Sequence, residues 1–294
     1  MTDFFPGFAR RRIETSGAAI HLVTGGSGPP LLLLHGYPET HLMWRKVAPR
    51  LAREFTLVIP DLRGYGESSK PNPGAKFENY SKRALARDQV ETMAGLGFER
   101  FMVAGHDRGA RVAHRLALDH PQRALKVALL DIVPTLYRFE TIDQKAATQS
   151  FHWFFLIQGG GLPERLIGAE PEFFLRHMMG AAGRDPNIIE AQAFAEYLHC
   201  FKNPETIRAT CDDYRAAAGI DLEHDRADKE RRIAPPLLVL WGDKSAQGSG
   251  YDVLSVWRER AENARGEAIR SGHFLPEEAP EETGRALRDF FAAH

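Results

Sequence analysis

Apolar and polar positions follow two regimes along the chain. Leu31 to Leu34 is wholly apolar, the pattern of a strand buried on both faces of a parallel sheet. Similar apolar runs end near Pro60, Gly105, Leu130 and Trp241, and a further strand is expected near Glu267 to Arg270. Helical spacing separates them at Lys82 to Leu96 and at Val112, Ala113, Leu116 and Ala117, where Pro121 stops the pattern. Arg11 to Thr15 and Ala18 to Thr24 flank Ser16-Gly17 and predict a β-hairpin. Strand and helix in alternation predict an α/β domain with a mostly parallel sheet flanked by helices. From Pro134 to about Arg232 the alternation stops, and the sequence turns helical and aromatic. The expectation is a core domain of residues 1–133 and 233–294, with a helical cap of residues 134–232 inserted between two strands.

Composition narrows the partners. The 294 residues suffice for one large domain with an insertion. With 38 basic and 39 acidic residues the net charge is -1, so no general field favours nucleic acid or an anionic membrane. The start Met1-Thr-Asp-Phe-Phe-Pro lacks the basic opening of a secretion signal, and no apolar run approaches the ~20 residues of a membrane span. The expectation is a soluble, cytoplasmic protein. Cys200 and Cys211 show no metal-ligand spacing, the 12 histidines include no H-E-x-x-H, and no compact cluster commits a metal. Gly25 to Gly28 runs into Pro29-Pro30 and a strand, so it reads as a turn and not as a phosphate loop. Arg10 to Arg12 reads as a solvated lead into the hairpin.

The chemistry gathers at Gly105-His106-Asp107-Arg108-Gly109, where a strand ends, the chain turns sharply and a helix begins. Such a G-x-Nuc-x-G elbow presents its central residue at the sheet edge in a strained turn. The centre here is Asp107. A carboxylate is of little use as an acyl acceptor, because the mixed anhydride it forms is no easier to make than to break. It can, however, displace a leaving group from carbon and form an ester. Arg108 and Arg111, at i and i+3, share a helix face and place cations where the helix dipole opposes them. An ionised Asp107 and an anionic substrate gripped by guanidinium groups would compensate; pairing with acidic side chains elsewhere is the other reading. His35-Gly-Tyr-Pro38 follows the apolar strand, and the backbone N–H groups of Tyr37 and Arg108 are expected to form an oxyanion hole.

His273, on the Ser271-Gly-His loop before the last helix, fits a general base. The usual position for its orienting acid, four residues beyond Trp241, holds Ser245, and Asp243 would point differently. Asp131, at the end of the strand after the elbow helix, is therefore assigned that role. Nucleophile, acid and histidine are the parts of the α/β-hydrolase fold.

Across nearly its whole length, from Phe5-Pro-Gly-Phe8 to Gly272-His-Phe-Leu-Pro-Glu-Glu278, the chain resembles the haloacetate dehalogenases. The resemblance rests on His35-Gly-x-Pro38, Gly105-His-Asp-Arg-Gly-x-Arg111, Asp131-Ile-Val-Pro-Thr135, His152-Trp153 and Asp213-Tyr-Arg-Ala216. It implies hydrolytic dehalogenation of a short 2-haloacid such as fluoroacetate, with no cofactor, by a homodimer. Arg108 and Arg111 would hold the carboxylate of this small anionic substrate, and His152, Trp153 and Tyr214 would line a halide pocket. Packing in a cap core is the alternative for those three. Gly180-Ala-Ala-Gly183 departs from the family, which has a tryptophan there, and puts the preference for a two-carbon acid in question. An epoxide hydrolase using Tyr214 with Tyr137 or Tyr197 is the rival enzyme. A non-catalytic carboxylate-binding protein is the rival of another class.

Overall fold

The computed structural model describes residues 3–182 and 188–293, without the side chains of Ala181 and Ala182. Eight strands form one sheet: β1 (Ala9–Glu14), β2 (Ala19–Gly26), β3 (Pro30–Leu34), β4 (Thr56–Pro60), β5 (Phe101–His106), β6 (Ala124–Leu130), β7 (Leu237–Gly242) and β8 (Ala264–Ile269). Their spatial order is β1-β2-β4-β3-β5-β6-β7-β8. The hairpin β1–β2 joins β4 antiparallel, and every pairing from β4 to β8 is parallel. Burial explains the two textures of the strands. The central ones are apolar because helices cover both faces, and Leu31 to Leu34 are fully buried. The edge strand β1 instead exposes Arg10, Arg11 and Arg12, as a solvated lead should.

The last strand begins three residues earlier than the apolar signal suggested, because half of β8 is exposed and Arg265 and Glu267 stand on it. Between β6 and β7 the described residues form helices from Thr135 to Ala227 and no strand. Gly183 and the side chains of Ala181 and Ala182 fall outside the described residues, and with them the departure noted at Gly180 to Gly183. No helix among the described residues is long and apolar enough to cross a membrane.

Parallel strands deliver their following loops to one edge of the sheet. Tyr37 follows β3, Asp107 follows β5, Asp131 follows β6, Ser245 follows β7 and His273 follows β8. The elbow itself depends on missing side chains. A Cβ on Gly105 would lie 2.4 Å from the Gly109 carbonyl oxygen, and one on Gly109 would lie 2.4 Å from that of His35. Strand and helix (Arg108–Asp119) cross at backbone contact there.

Gly109→Ala should therefore force rigid backbone apart and destabilise the fold by about 1–3 kcal/mol. Urea unfolding read by circular dichroism would show it as a lowered midpoint.

Candidate active site

Asp107 caps the elbow helix with φ 43° and ψ -111°, outside the favoured regions for a residue with a Cβ. Such strain persists where the surroundings over-determine it. The turn turns the carboxylate back toward β3, where the Tyr37 N–H donates to Asp107 Oδ2 at 3.1 Å. Burial would raise the Asp107 pKa, but the positive charges of His273, Arg108 and Arg111 outweigh it and hold the value at about 2. The group is an anion at any working pH.

Asp131 also adopts a left-handed conformation, φ 53°, at the end of β6. Its Oδ2 lies 2.6 Å from His273 Nδ1, while Oδ1 accepts the Gly242 N–H at 2.9 Å and the Ser245 hydroxyl at 2.7 Å. Ser245, standing where the acid was sought, thus donates to the acid from β6. Asp243 is exposed, and its N–H pairs with the Ile269 carbonyl. Burial alone would lower the His273 pKa, but the bond to Asp131 and the charges of Asp131 and Asp107 raise it. From behind, His106 Nε2 lies 2.7 Å from the His273 carbonyl oxygen and ties the histidine loop to the elbow.

The two arginines are fully or almost fully buried and differently bound. Arg108 Nε donates to Asp213 Oδ2 at 2.7 Å and Nη2 to the Asp213 carbonyl at 2.8 Å, leaving Nη1 with no hydrogen-bond partner. The reading of a paired arginine holds for this half of Arg108. Arg111 Nη1 donates to the Val133 carbonyl at 3.0 Å and the Thr135 hydroxyl at 2.9 Å, and its Nε and Nη2 have no partner. Burial lowers the Arg111 pKa to about 10, so it remains charged at neutral pH. Aromatic faces cover both cations: Arg108 Cζ lies 4.1 Å from the Tyr214 ring centre and Arg111 Cζ 4.6 Å from that of Trp153.

Trp153, His152 and Tyr214 form one aromatic group with Tyr37. The Tyr214 ring lies 5.3 Å from Tyr37, 5.7 Å from His152 and 5.9 Å from Trp153, centre to centre. His152 Nδ1, Tyr214 Oη and Tyr37 Oη are buried without a hydrogen-bond partner. Burial lowers the His152 pKa to about 3 and raises the Tyr214 pKa well above its ordinary value, so both are neutral. A cavity of about 340 Å³ reaches Asp107, His152, Trp153 and His273 and continues past Lys244 and Gln247. The tyrosines weighed as partners for Tyr214 stand elsewhere: Tyr197 donates to Glu277 Oε1 at 2.9 Å, and Tyr137 packs edge-on against Tyr251.

Sequence reading assigned no role to Asp213, which holds Arg108, accepts from the Tyr65 hydroxyl at 2.8 Å and pairs with Lys82. No local spacing links positions so distant in the chain. The hydroxyl of Ser245 could have been recognised, since a donor in the acid's usual place suits an acid arriving from the neighbouring strand. Among the described residues, one compact group of metal-ligating type also went unseen: His21, His41 and Asp61 each offer a ligand atom within 4.8 Å of the others. Its members come from three elements, so no local motif announces it.

Comparison with known proteins places this geometry. Residues 29–280 match the model of the alpha/beta hydrolase fold family. A fluoroacetate dehalogenase from Burkholderia sp is 45% identical over 98% of this chain and 95% of its own. A soluble epoxide hydrolase from Corynebacterium sp. (strain C12) is 34% identical over 94% of this chain and 95% of its own. Among solved structures, a protein of Nostoc sp PCC 7120 assigned to the alpha/beta hydrolases superposes with a TM-score of 0.96 at 57% identity, covering 98% of this chain and 99% of that one. The chain belongs to the alpha/beta hydrolase fold family, related within it to haloacetate dehalogenases and epoxide hydrolases alike.

Proposed function

We propose that the protein hydrolyses short 2-haloacids, haloacetates among them, to 2-hydroxy acids through an ester on Asp107. The observation that carries this reading is the set of unpartnered donors on Arg108 and Arg111, buried beside an ionised carboxylate. Buried N–H groups of a cation are costly unless an acceptor reaches them. A substrate carboxylate supplies that acceptor and, by pairing with Nη1 of Arg108 and Nε and Nη2 of Arg111, fixes the 2-carbon in front of Asp107.

The Tyr37 N–H engages Asp107 Oδ2, which leaves Oδ1 as the attacking atom. Oδ1 forms a bond to the 2-carbon as the carbon–halogen bond breaks, and the halide leaves with its electron pair toward His152, Trp153 and Tyr214. These neutral donors stabilise a developing anion without attracting a second substrate carboxylate. In the second step His273 takes a proton from water, which attacks the carboxyl carbon of the Asp107 ester. Negative charge then grows on Oδ2, the atom already facing the Tyr37 N–H, with the Arg108 N–H as the second donor. Collapse breaks the bond between the carboxyl carbon and Oδ1, and the proton on His273 passes to the departing 2-hydroxy acid. The helices of residues 134–232 serve in this scheme as a cap that excludes water and supplies the halide pocket.

The relative of epoxide hydrolase name keeps a second reading open to test. It is weaker here because a neutral epoxide has no use for two buried cations, and Tyr197 is already bonded to Glu277.

Assay of fluoride and chloride release from haloacetates and 2-halopropionates, beside diol formation from styrene oxide, should show halide release and no diol. Diol without halide would refute the reading. Arg111→Lys, which loses the planar fork, should lower kcat/KM for haloacetate by roughly 10- to 100-fold with the fold intact; an unchanged value would remove the carboxylate clamp. The pH profile separates the two steps. Asp107 stays ionised well below neutrality, whereas His273 must be neutral to act. On the acid side kcat should fall about tenfold per pH unit once His273 is protonated, while kcat/KM, set by ester formation, holds. Acid-quenched samples analysed by mass spectrometry should then show the ester accumulating.

A further inference from the structure

Away from the cleft, β2, the loop after β3 and the end of β4 meet at a carboxylate. The antiparallel ladder sets Leu22 opposite Pro60, and the Asp61 N–H donates to the His21 carbonyl at 2.9 Å, so His21 and Asp61 lie side by side. Two backbone N–H groups fix the carboxylate, His41 on Oδ1 and Glu67 on Oδ2, each at 2.9 Å. Its remaining acceptor sites face two imidazoles: His41 Nδ1 is 2.8 Å from Oδ1 and His21 Nδ1 3.1 Å from Oδ2.

Neighbouring ligand atoms around a tetrahedral Zn²⁺, with bonds of about 2.0–2.1 Å, stand roughly 3.3 Å apart. The 2.8 and 3.1 Å separations run to different oxygens of Asp61, but one ligand atom from each residue lies within 4.8 Å of the other two, so the three have only to draw in toward that edge length around an ion. A cavity of about 110 Å³ opens on the cluster, with Glu67 and Cys200 also in its wall. That is room for an ion and a water, whose share of liquid is about 30 Å³. Glu67 Oε2 lies 3.8 Å from His21 Nε2, and its mostly exposed side chain can swing to a fourth position. His21 and Asp61 are buried and His41 is half-buried, so an ion held there would be shielded on most sides.

We propose that His21, His41 and Asp61 form a binding site for a divalent transition ion of the zinc class, distinct from the hydrolytic centre and independent of its substrate. Two imidazole nitrogens and one carboxylate oxygen suit Zn²⁺, Co²⁺ or Ni²⁺ better than Ca²⁺ or Mg²⁺, which prefer all-oxygen shells. The Cys200 thiol is held protonated, its pKa pushed up to about 12 chiefly by burial, so it adds no free thiolate to the set. The ion replaces imidazole protons directed at Asp61 and ties the edge hairpin to the loops after β3 and β4.

The test uses untagged full-length protein stripped with chelator. Calorimetric titration with Zn²⁺ should give saturation at one equivalent and a Tm raised by several degrees, and Co²⁺ should develop the visible absorption of a four-coordinate site. His21→Ala and His41→Ala should each bind Zn²⁺ roughly tenfold or more weakly and lose the Tm shift. His273→Ala, altered only in the cleft, should bind Zn²⁺ as the parent does, which distinguishes this site from chance coordination by His273. If His41→Ala does not fold, His21→Asn, on the strand, carries the comparison alone. Equal Zn²⁺ binding by parent and His21 variants, or no saturable binding by the parent, overturns the proposal.

Discussion

Everything at the centre of this molecule answers to one electrostatic constraint: a carboxylate, that of Asp107, is kept ionised while buried. Removing such a group from water costs several kcal/mol unless charge and hydrogen bonds replace the solvent. His273, Arg108 and Arg111 supply the charge and the Tyr37 N–H supplies one fixed hydrogen bond. The strained elbow follows from the same demand, since only a tight turn brings the carboxylate to that donor while keeping the helix cations near it.

The arginines divide the work. Arg108 is anchored on two sides by Asp213, which Lys82 and the Tyr65 hydroxyl hold in turn. Burial would raise the Asp213 pKa, but Arg108 and Lys82 outweigh it and hold it far below the usual carboxylate range. Arg111 is pinned by neutral oxygens alone and keeps two nitrogens free. Asp213 and Tyr214 belong to a helix of the insertion (Pro204–Ala218), whereas Lys82, Tyr65 and both arginines belong to the sheet-bearing part. The proposed anion site is therefore completed only where insertion and core meet, and the ion pairs across that boundary fix the position of Arg108.

Much of this was legible in the sequence, and the reasons are physical. Four consecutive leucines suit a strand covered on both faces of a parallel sheet, and an Asp between glycines at a strand-to-helix turn stands where a nucleophile is expected. The β8 boundary was less visible because a strand exposed on one edge carries no apolar signature. The residues proposed to line a halide pocket were legible only through the family likeness: Trp153 and Tyr214 sit in runs that also serve as core, and they do pack, against the arginines themselves. Asp213 as the partner of Arg108, the Ser245 hydroxyl under Asp131, and the cluster of His21, His41 and Asp61 escaped because each joins positions far apart in the chain. Periodicity and spacing report neighbours along the chain, and only tertiary packing reports these.

The central claim is that an oxygen of Asp107 becomes the hydroxyl oxygen of the first product molecule. A single turnover of excess enzyme on haloacetate in ¹⁸O-water, with the product analysed by mass spectrometry, tests it directly. The account predicts unlabelled 2-hydroxy acid, with heavy oxygen retained in the peptide that contains Asp107. Heavy oxygen in that first product, with the peptide unlabelled, would mean that water attacks the halide-bearing carbon itself and would contradict the account.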